Sequence, residues 1–167
     1  KLTFFRRLIW KSFSKNIYII TVPTKTTYDL LIKSKIFEER KIKLLRDPII
    51  ECGEIKEKKV ISIDKNFIDT KFYLSIGRLT GQKNFSFLIK MFSENINNFK
   101  INKLLIIGDG EEKNNLKKLI KKYKMEKQIF LLGFKENVYN YINNCEAVIS
   151  VAQYEDPGFV LIEAAYL

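Results

Sequence analysis

The sequence predicts an α/β fold, a Rossmann-like parallel sheet with helices on both faces. Three observations predict it. From residue 71 onward, short apolar runs recur, such as FYLSIG (72–77), KLLIIG (103–108) and QIFLLG (128–133). Amphipathic stretches with apolar residues three and four apart separate them. The runs are continuous rather than alternating, which suits strands covered on both faces. Strand–helix alternation at this spacing gives parallel strands joined by right-handed crossovers, with ligands beyond the strands' carboxyl ends.

The elements follow in order. In residues 1–15, Arg7, Lys11 and Lys15 share one helical face and Phe5, Leu8, Ile9 and Ser12 another. Such a helix suits packing on its own domain, the preferred reading, or a membrane interface. IYIITV (17–22) reads as a buried strand bounded by Pro23. Thr24 stands at an N-cap position, before a helix with Tyr28, Leu31 and Ile32 inward. IKLL (42–45) is a further strand, closed by Asp47-Pro48. ECGEIKEKK (51–59) is polar and fits a linker. After the strand at 72–77 comes a helix over 84–95, with Phe85, Leu88, Ile89 and Phe92 at core spacing. After 103–108 comes a helix over 111–124, acids first and lysines last as the helix dipole prefers. Beyond 128–133, a short helix (136–144), a strand (147–152) and a final helix complete the pattern.

The chain has 167 residues and a formal net charge of +11. Residues 1–66 carry 16 basic and 8 acidic side chains, residues 67–167 carry 14 and 11, so a boundary between them is expected. The charge invites an anionic membrane or nucleic-acid partner. A lysine-, isoleucine- and asparagine-rich coding bias, with only 4 alanines, also explains it and is the preferred reading. Most aromatics fall on inward helical faces rather than between cations, so no nucleic-acid partner is expected. No apolar run reaches the ~20 residues of a spanning helix. There is no histidine, which excludes Ser-His-Asp and Cys-His catalysis within the chain. Cys52 and Cys145 lack metal-ligand spacing. Lys1 is not a methionine, and GFVLIEAAYL is helical to the last residue, so an internal piece of a longer protein is expected.

Three segments carry candidate chemistry, each just after a strand. GRLTGQKN (77–84) places Arg78 and Lys83 beside two glycines and before a helix start, a setting for a diphosphate. It is not a Walker loop, since no Ser or Thr follows Lys83. GDGEE (108–112) opens like a dinucleotide fingerprint, but Lys113 stands at the third glycine position and a tight turn is the better reading. YEDPGFVLIEAA (154–165) sets Glu155 on a loop, backbone amides at Gly158, Phe159 and Val160, and Glu163 eight positions after the first acid. Carboxylates suit vicinal sugar hydroxyls. Glu163 interrupts an apolar run, where an acid without a partner is costly.

Together GRLTGQKN, LLIIGDGEEKNNLKKLI, IFLLGFKENVYNYINNCEAVIS and the Glu-x7-Glu segment ending in EAA resemble the donor-binding domain of retaining glycosyltransferases of family 4, which have the GT-B fold. The resemblance is strong over 71–167 and looser over 17–50. It implies residues 1–50 as the end of the N-terminal acceptor domain, 51–70 as linker and 71–167 as an incomplete nucleotide-sugar domain. It implies Arg78 and Lys83 on the donor diphosphate, Glu155 as the catalytic residue in contact with the transferred sugar, Glu163 on the ribose, backbone contacts from Gly158, Phe159 and Val160, and Gly133 and Phe134 at the base. Asp156-Pro157 depart from the family's usual Glu-Gly-Phe-Gly. No Asp-x-Asp occurs, so no metal and no cofactor is expected. The implied activity is hexosyl transfer with retention from a nucleotide-diphosphate sugar to a glycan or lipid-linked acceptor. The implied location is cytoplasmic, with peripheral membrane contact through residues 1–15. Another GT-B enzyme, such as an epimerase or phosphorylase, or a basic surface-binding module, are the alternatives.

Overall fold

The structure, a computed structural model, describes residues 4–46, 52–58, 63–155 and 158–167. Two units divide the chain, Lys1–Pro48 and Ile49–Leu167.

The first unit holds α1 (Phe4–Phe13) with a 3-10 turn at Ser14–Asn16, β1 (Ile20–Val22), α2 (Lys25–Ser34), a 3-10 turn at Glu39–Lys41 and β2 (Ile42–Leu44). β1 and β2 pair in parallel, Ile20 opposite Ile42. Thr24 caps α2 as expected, its hydroxyl accepting from the Thr27 N–H. The strand expected over 17–22 is shorter, because Ile17 closes the preceding turn by donating its N–H to Ser14 O. α1 packs less than expected: none of its residues is buried. Trp10, edge-on to Phe37, and Arg7, donating to Ser34 O at 2.6 Å, tie it to the rest of the unit. Tyr28, Leu31 and Ile32 are half-buried. An apolar hollow of about 820 Å³, lined by Trp10, Ile20, Leu31, Ile36 and Phe37 among others, lies in this unit. The Asp47-Pro48 strand stop lies outside the described residues.

The second unit begins with α3 (Cys52–Lys58) and a 3-10 turn at Lys65–Phe67. Within the polar stretch expected as linker, Cys52–Lys58 is helical, and Ile55 is 1% exposed. Then come β3 (Tyr73–Ile76), α4 (Phe85–Glu94), β4 (Leu104–Ile107), α5 (Lys113–Lys122), β5 (Ile129–Gly133), α6 (Tyr139–Asn144), β6 (Ala147–Val148) and α7 (Phe159–Tyr166). The strands order as β5-β4-β3-β6, every pair parallel.

β4 explains the layers. All four of its residues are buried. Leu104 and Ile106 join one core with Leu88, Ile89 and Phe92 of α4 and Leu116 and Ile120 of α5. Leu105 and Ile107 point the other way and join Phe72, Leu74, Phe67, Tyr141 and Ile142, with Ala164 and Leu167 packed against them. The two-residue period of a strand therefore feeds two cores, which is what helices on both faces require. α4 buries the four residues its spacing picks out: Phe85, Leu88, Ile89 and Phe92.

β6 is the shortened element. The expected strand over 147–152 keeps only Ala147 and Val148 in the ladder. Past Val148 the Ile149 N–H still donates to Leu74 O at 2.7 Å, and the buried Ser75 hydroxyl donates to Ile149 O at 2.6 Å. Beyond that, the chain turns toward the loop after β3.

Candidate functional site

β3 is the first strand of its sheet in sequence, with β4 on one side and β6 on the other. The connections change direction there, and the crevice outside two such strands is where open α/β sheets bind ligands. The cleft lies at that point. Ile76 ends β3, Val148 ends β6, and Ile149 and Ser150 follow it. Lys83, Glu155, Gly158, Phe159, Val160 and Leu161 close the remaining sides of a hollow of about 170 Å³.

Three contacts fasten the loop after β6 to the turn at Gly81–Lys83. The Gln153 N–H donates to Gln82 O (2.9 Å), the Gln82 amide donates to Tyr154 O (3.0 Å), and Lys83 Nζ meets Glu155 Oε1 at 2.5 Å. Residues 72 positions apart thus converge, with Lys83 and Glu155 both largely screened from solvent (21% and 28% exposed). The Lys83 stem packs over Gly77, where an added Cβ would lie 3.3 Å from its Cδ and Cε. Gly77 thus gives the cation room. Gly81 has no such role: nothing lies within 4 Å of a Cβ there, and the left-handed residue of the turn is Asn84, φ 57°.

Gly108 and Gly110 serve the loop after β3 rather than a dinucleotide. A Cβ on Gly108 would collide with the Gly77 carbonyl, and one on Gly110 would lie 2.6 Å from Leu79 O. The close approach lets the Leu79 N–H donate to Asp109 O and the Glu112 N–H to Leu79 O, both at 2.9 Å. Asp109 pairs with Lys113, and that contact, helped by the Gly110 N–H, lowers its carboxyl below the ordinary range. An occupied acid here is a poor phosphate neighbour.

α7 starts at the cleft. Gly158 takes φ 30°, a left-handed value that favours glycine, and its carbonyl accepts from Leu161 and Ile162. The Phe159 and Val160 N–H groups then have no acceptor within the helix. Glu163 lies three and four positions past Val160 and Phe159, on the same helical face. Its Oε1 accepts from Tyr139 Oη at 3.2 Å, and burial raises its pKa while that hydrogen bond lowers it.

The structure therefore brings Lys83, Glu155, Gly158, Phe159 and Val160 together. Arg78 lies exposed in the same loop as Lys83, outside the hollow's lining. Glu163 sits one turn farther along α7. Gly133 (φ 72°) ends β5, and its carbonyl accepts from the Gly108 N–H at 2.9 Å, so it shares the carboxyl rim; Phe134 beside it is 76% exposed. Asp156-Pro157 lie outside the described residues. Sequence reading missed Gln82, Tyr139 and Ser75. Ser75 left a signal, a polar residue inside an apolar run. Gln82 and Tyr139 left none, because their partners are distant in sequence.

A family model for glycosyl transferases group 1 matches residues 56–167. The chain belongs to the group 1 glycosyltransferase family. An uncharacterised glycosyltransferase of Methanocaldococcus jannaschii is 29% identical over 164 residues, 96% of this chain and 40% of that protein. A Campylobacter jejuni enzyme, named as an α-N-acetylgalactosaminyltransferase acting on a diphospho-undecaprenol glycan, is 38% identical over 94 residues, 56% of this chain and 25% of its own length. The chain thus spans less than half of the curated relatives it matches. Among solved structures, Staphylococcus aureus TarM, in complex with UDP, has a TM-score of 0.74 at 21% identity over 95% of this chain and 30% of its own. Anabaena HepE, in complex with UDP and glucose, has 0.73 at 14% identity over 98% and 46%. These likenesses show the fold of group 1 glycosyltransferases of the GT-B type.

Proposed function

We propose that the chain is the donor-binding part of a retaining glycosyltransferase. It moves a hexosyl unit from a nucleotide-diphosphate sugar, with UDP-hexose as the donor, to a glycan or lipid-linked acceptor. The observation that carries the reading is the convergence of Lys83 and Glu155 at the sheet's switch point, beside the start of α7. UDP in the similar structures and hexosyl transfer in the relatives' names support the donor class. The diphospho-undecaprenol and diacylglycerol in two relatives' names support a lipid-linked acceptor.

Arg78 and Lys83 neutralise the leaving diphosphate, a task that needs fixed cations because the chain has no Asp-x-Asp to hold a metal. The amides of Phe159 and Val160 add donors, Glu155 accepts from sugar hydroxyls and Glu163 from the ribose. At about 170 Å³ the hollow is smaller than the roughly 300 Å³ of a whole-ligand pocket. It suits the diphosphate–sugar portion, with the nucleoside along the rim toward Gly133 and Phe134. The bond from the anomeric carbon to the diphosphate oxygen breaks, and its electron pair leaves with UDP. The acceptor oxygen attacks the same carbon from the same face and passes its proton to the departing diphosphate oxygen. The protein contributes position and charge.

Residues 1–50 then close the acceptor domain, 51–70 link and 71–167 bind the donor. The exposed Phe4, Phe5 and Phe13, with Arg6, Arg7 and Lys11 on the same helix, support contact with the inner face of a membrane. Co-sedimentation with anionic vesicles that is no better than with neutral ones overturns that part.

Calorimetric titration tests the donor site. UDP and UDP-hexoses should saturate one site, and Lys83→Ala and Arg78→Ala should each weaken binding about tenfold or more, the loss of a charge-assisted hydrogen bond. Parent-like binding by both variants, or binding that never saturates and vanishes with salt, overturns the assignment.

A further inference from the structure

We propose that Tyr139 is a positioning residue: its hydroxyl holds the Glu163 carboxylate where that group accepts hydrogen bonds from the two vicinal hydroxyls of a nucleotide's ribose. The inference rests on the nucleotide-sugar reading above and adds a residue outside the Glu-x7-Glu segment.

The geometry has four parts. Tyr139 Oη donates to Glu163 Oε1 at 3.2 Å across 24 residues of sequence. Glu163 shares a helical face with Phe159 and Val160, which line the cleft, so a carboxylate fixed there borders the ligand. The phenol is itself fixed. Its ring packs in the core that holds Ala164 and Leu167, and its N–H donates to Asn137 Oδ1 at 3.1 Å; the Asn137 amide in turn donates to Lys58 O at 2.9 Å. Finally, a carboxylate accepts about four hydrogen bonds, so one from Tyr139 leaves capacity for a diol. A half-buried glutamate with several rotatable bonds loses ribose affinity each time it swings away, and a rigid donor beside it removes that freedom.

The test uses the full chain with UDP and 2′,3′-dideoxy-UDP as probes. Tyr139→Phe keeps the ring and removes only the hydroxyl. UDP affinity should fall about five- to tenfold, the loss of one hydrogen bond to a charged group. Affinity for the dideoxy nucleotide, already weaker in the parent, should stay the same. In a Glu163→Gln background the Tyr139→Phe loss on UDP should shrink below about twofold. Equal losses on both nucleotides, or no loss on UDP, overturn the proposal. Should Tyr139→Phe melt early, 3-fluorotyrosine in place of Tyr139 keeps the shape with a stronger donor that is still protonated at neutral pH. It should tighten UDP and leave the dideoxy nucleotide unchanged; unchanged UDP affinity overturns the proposal. A parent chain that binds no UDP overturns the function reading instead, and this inference falls with it.

Discussion

The Glu155 carboxylate lies 2.5 Å from Lys83 Nζ, and a diphosphate binding there competes with it for the same ammonium. Glu155→Gln weakens that competition. UDP should bind about two- to fivefold tighter, in line with the modest strength of a partly exposed ion pair. A UDP-hexose should gain nothing, because the glutamine keeps only one of the two carboxylate oxygens proposed to grip the sugar. Calorimetry with both ligands checks this, and equal gains would separate Glu155 from the sugar. Glu163 gives a pH dependence. Its folded pKa is raised above the ordinary 4.5, chiefly by burial, so the folded state holds a proton that the unfolded chain releases. Stability is then greatest at and below pH 4.5 and is lost as pH rises through the raised value. UDP affinity runs the opposite way, since the proposed ribose contact needs the carboxylate. It should fall as pH drops through the same window, and Glu163→Gln should flatten both profiles in melts and titrations at several pH values. Cys145 takes no part: burial pushes its thiol up to about 11, which keeps it protonated and inert at neutral pH.

The elements of the second unit were legible wherever one face or both were apolar without interruption. KLLIIG became β4 and NFSFLIKMFSEN became α4, each within a residue or two, because burial decides both and burial is written in side-chain type. The ladder at β6 is shorter than expected: ISVA is as apolar as a strand, but only Ile149 still bonds β3, and by Gln153 the chain bonds the loop after β3 instead. α3 is not legible as a helix in the sequence, because its charges hide one buried isoleucine. At the site, the cations and acids could be picked out by type and position. Their pairing could not, because the contact between Lys83 and Glu155 depends on strand order. Two substitutions weigh these elements. Leu105→Ala empties a fully buried position that faces the second core, and should cost about 2–5 kcal/mol in chemical denaturation. Gly108→Ala drives a methyl into the Gly77 carbonyl and must part the two rim loops. It should cost about 1–3 kcal/mol and weaken UDP through Lys83, although residue 108 does not line the cleft.

The two units are unequally built. In the first, Val22, Ile36 and Ile42 are the buried apolar residues among those described, and the hollow of about 820 Å³ beside them forfeits packing that a core normally supplies. The second unit buries both faces of its sheet, and each residue proposed to touch the donor belongs to it. Local opening follows packing density, so amides of residues 4–46 should exchange with solvent much faster than those of β3, β4 and α4. Donor binding should depend little on the first unit. A chain restricted to residues 49–167 should retain UDP affinity within about threefold of the parent, with the same tenfold loss on Lys83→Ala. Hydrogen exchange and calorimetry on the two chains decide the matter. If the shorter chain folds, as its circular dichroism would show, yet binds no UDP, the first unit contributes to the nucleotide site and its confinement to the sheet's switch point is wrong.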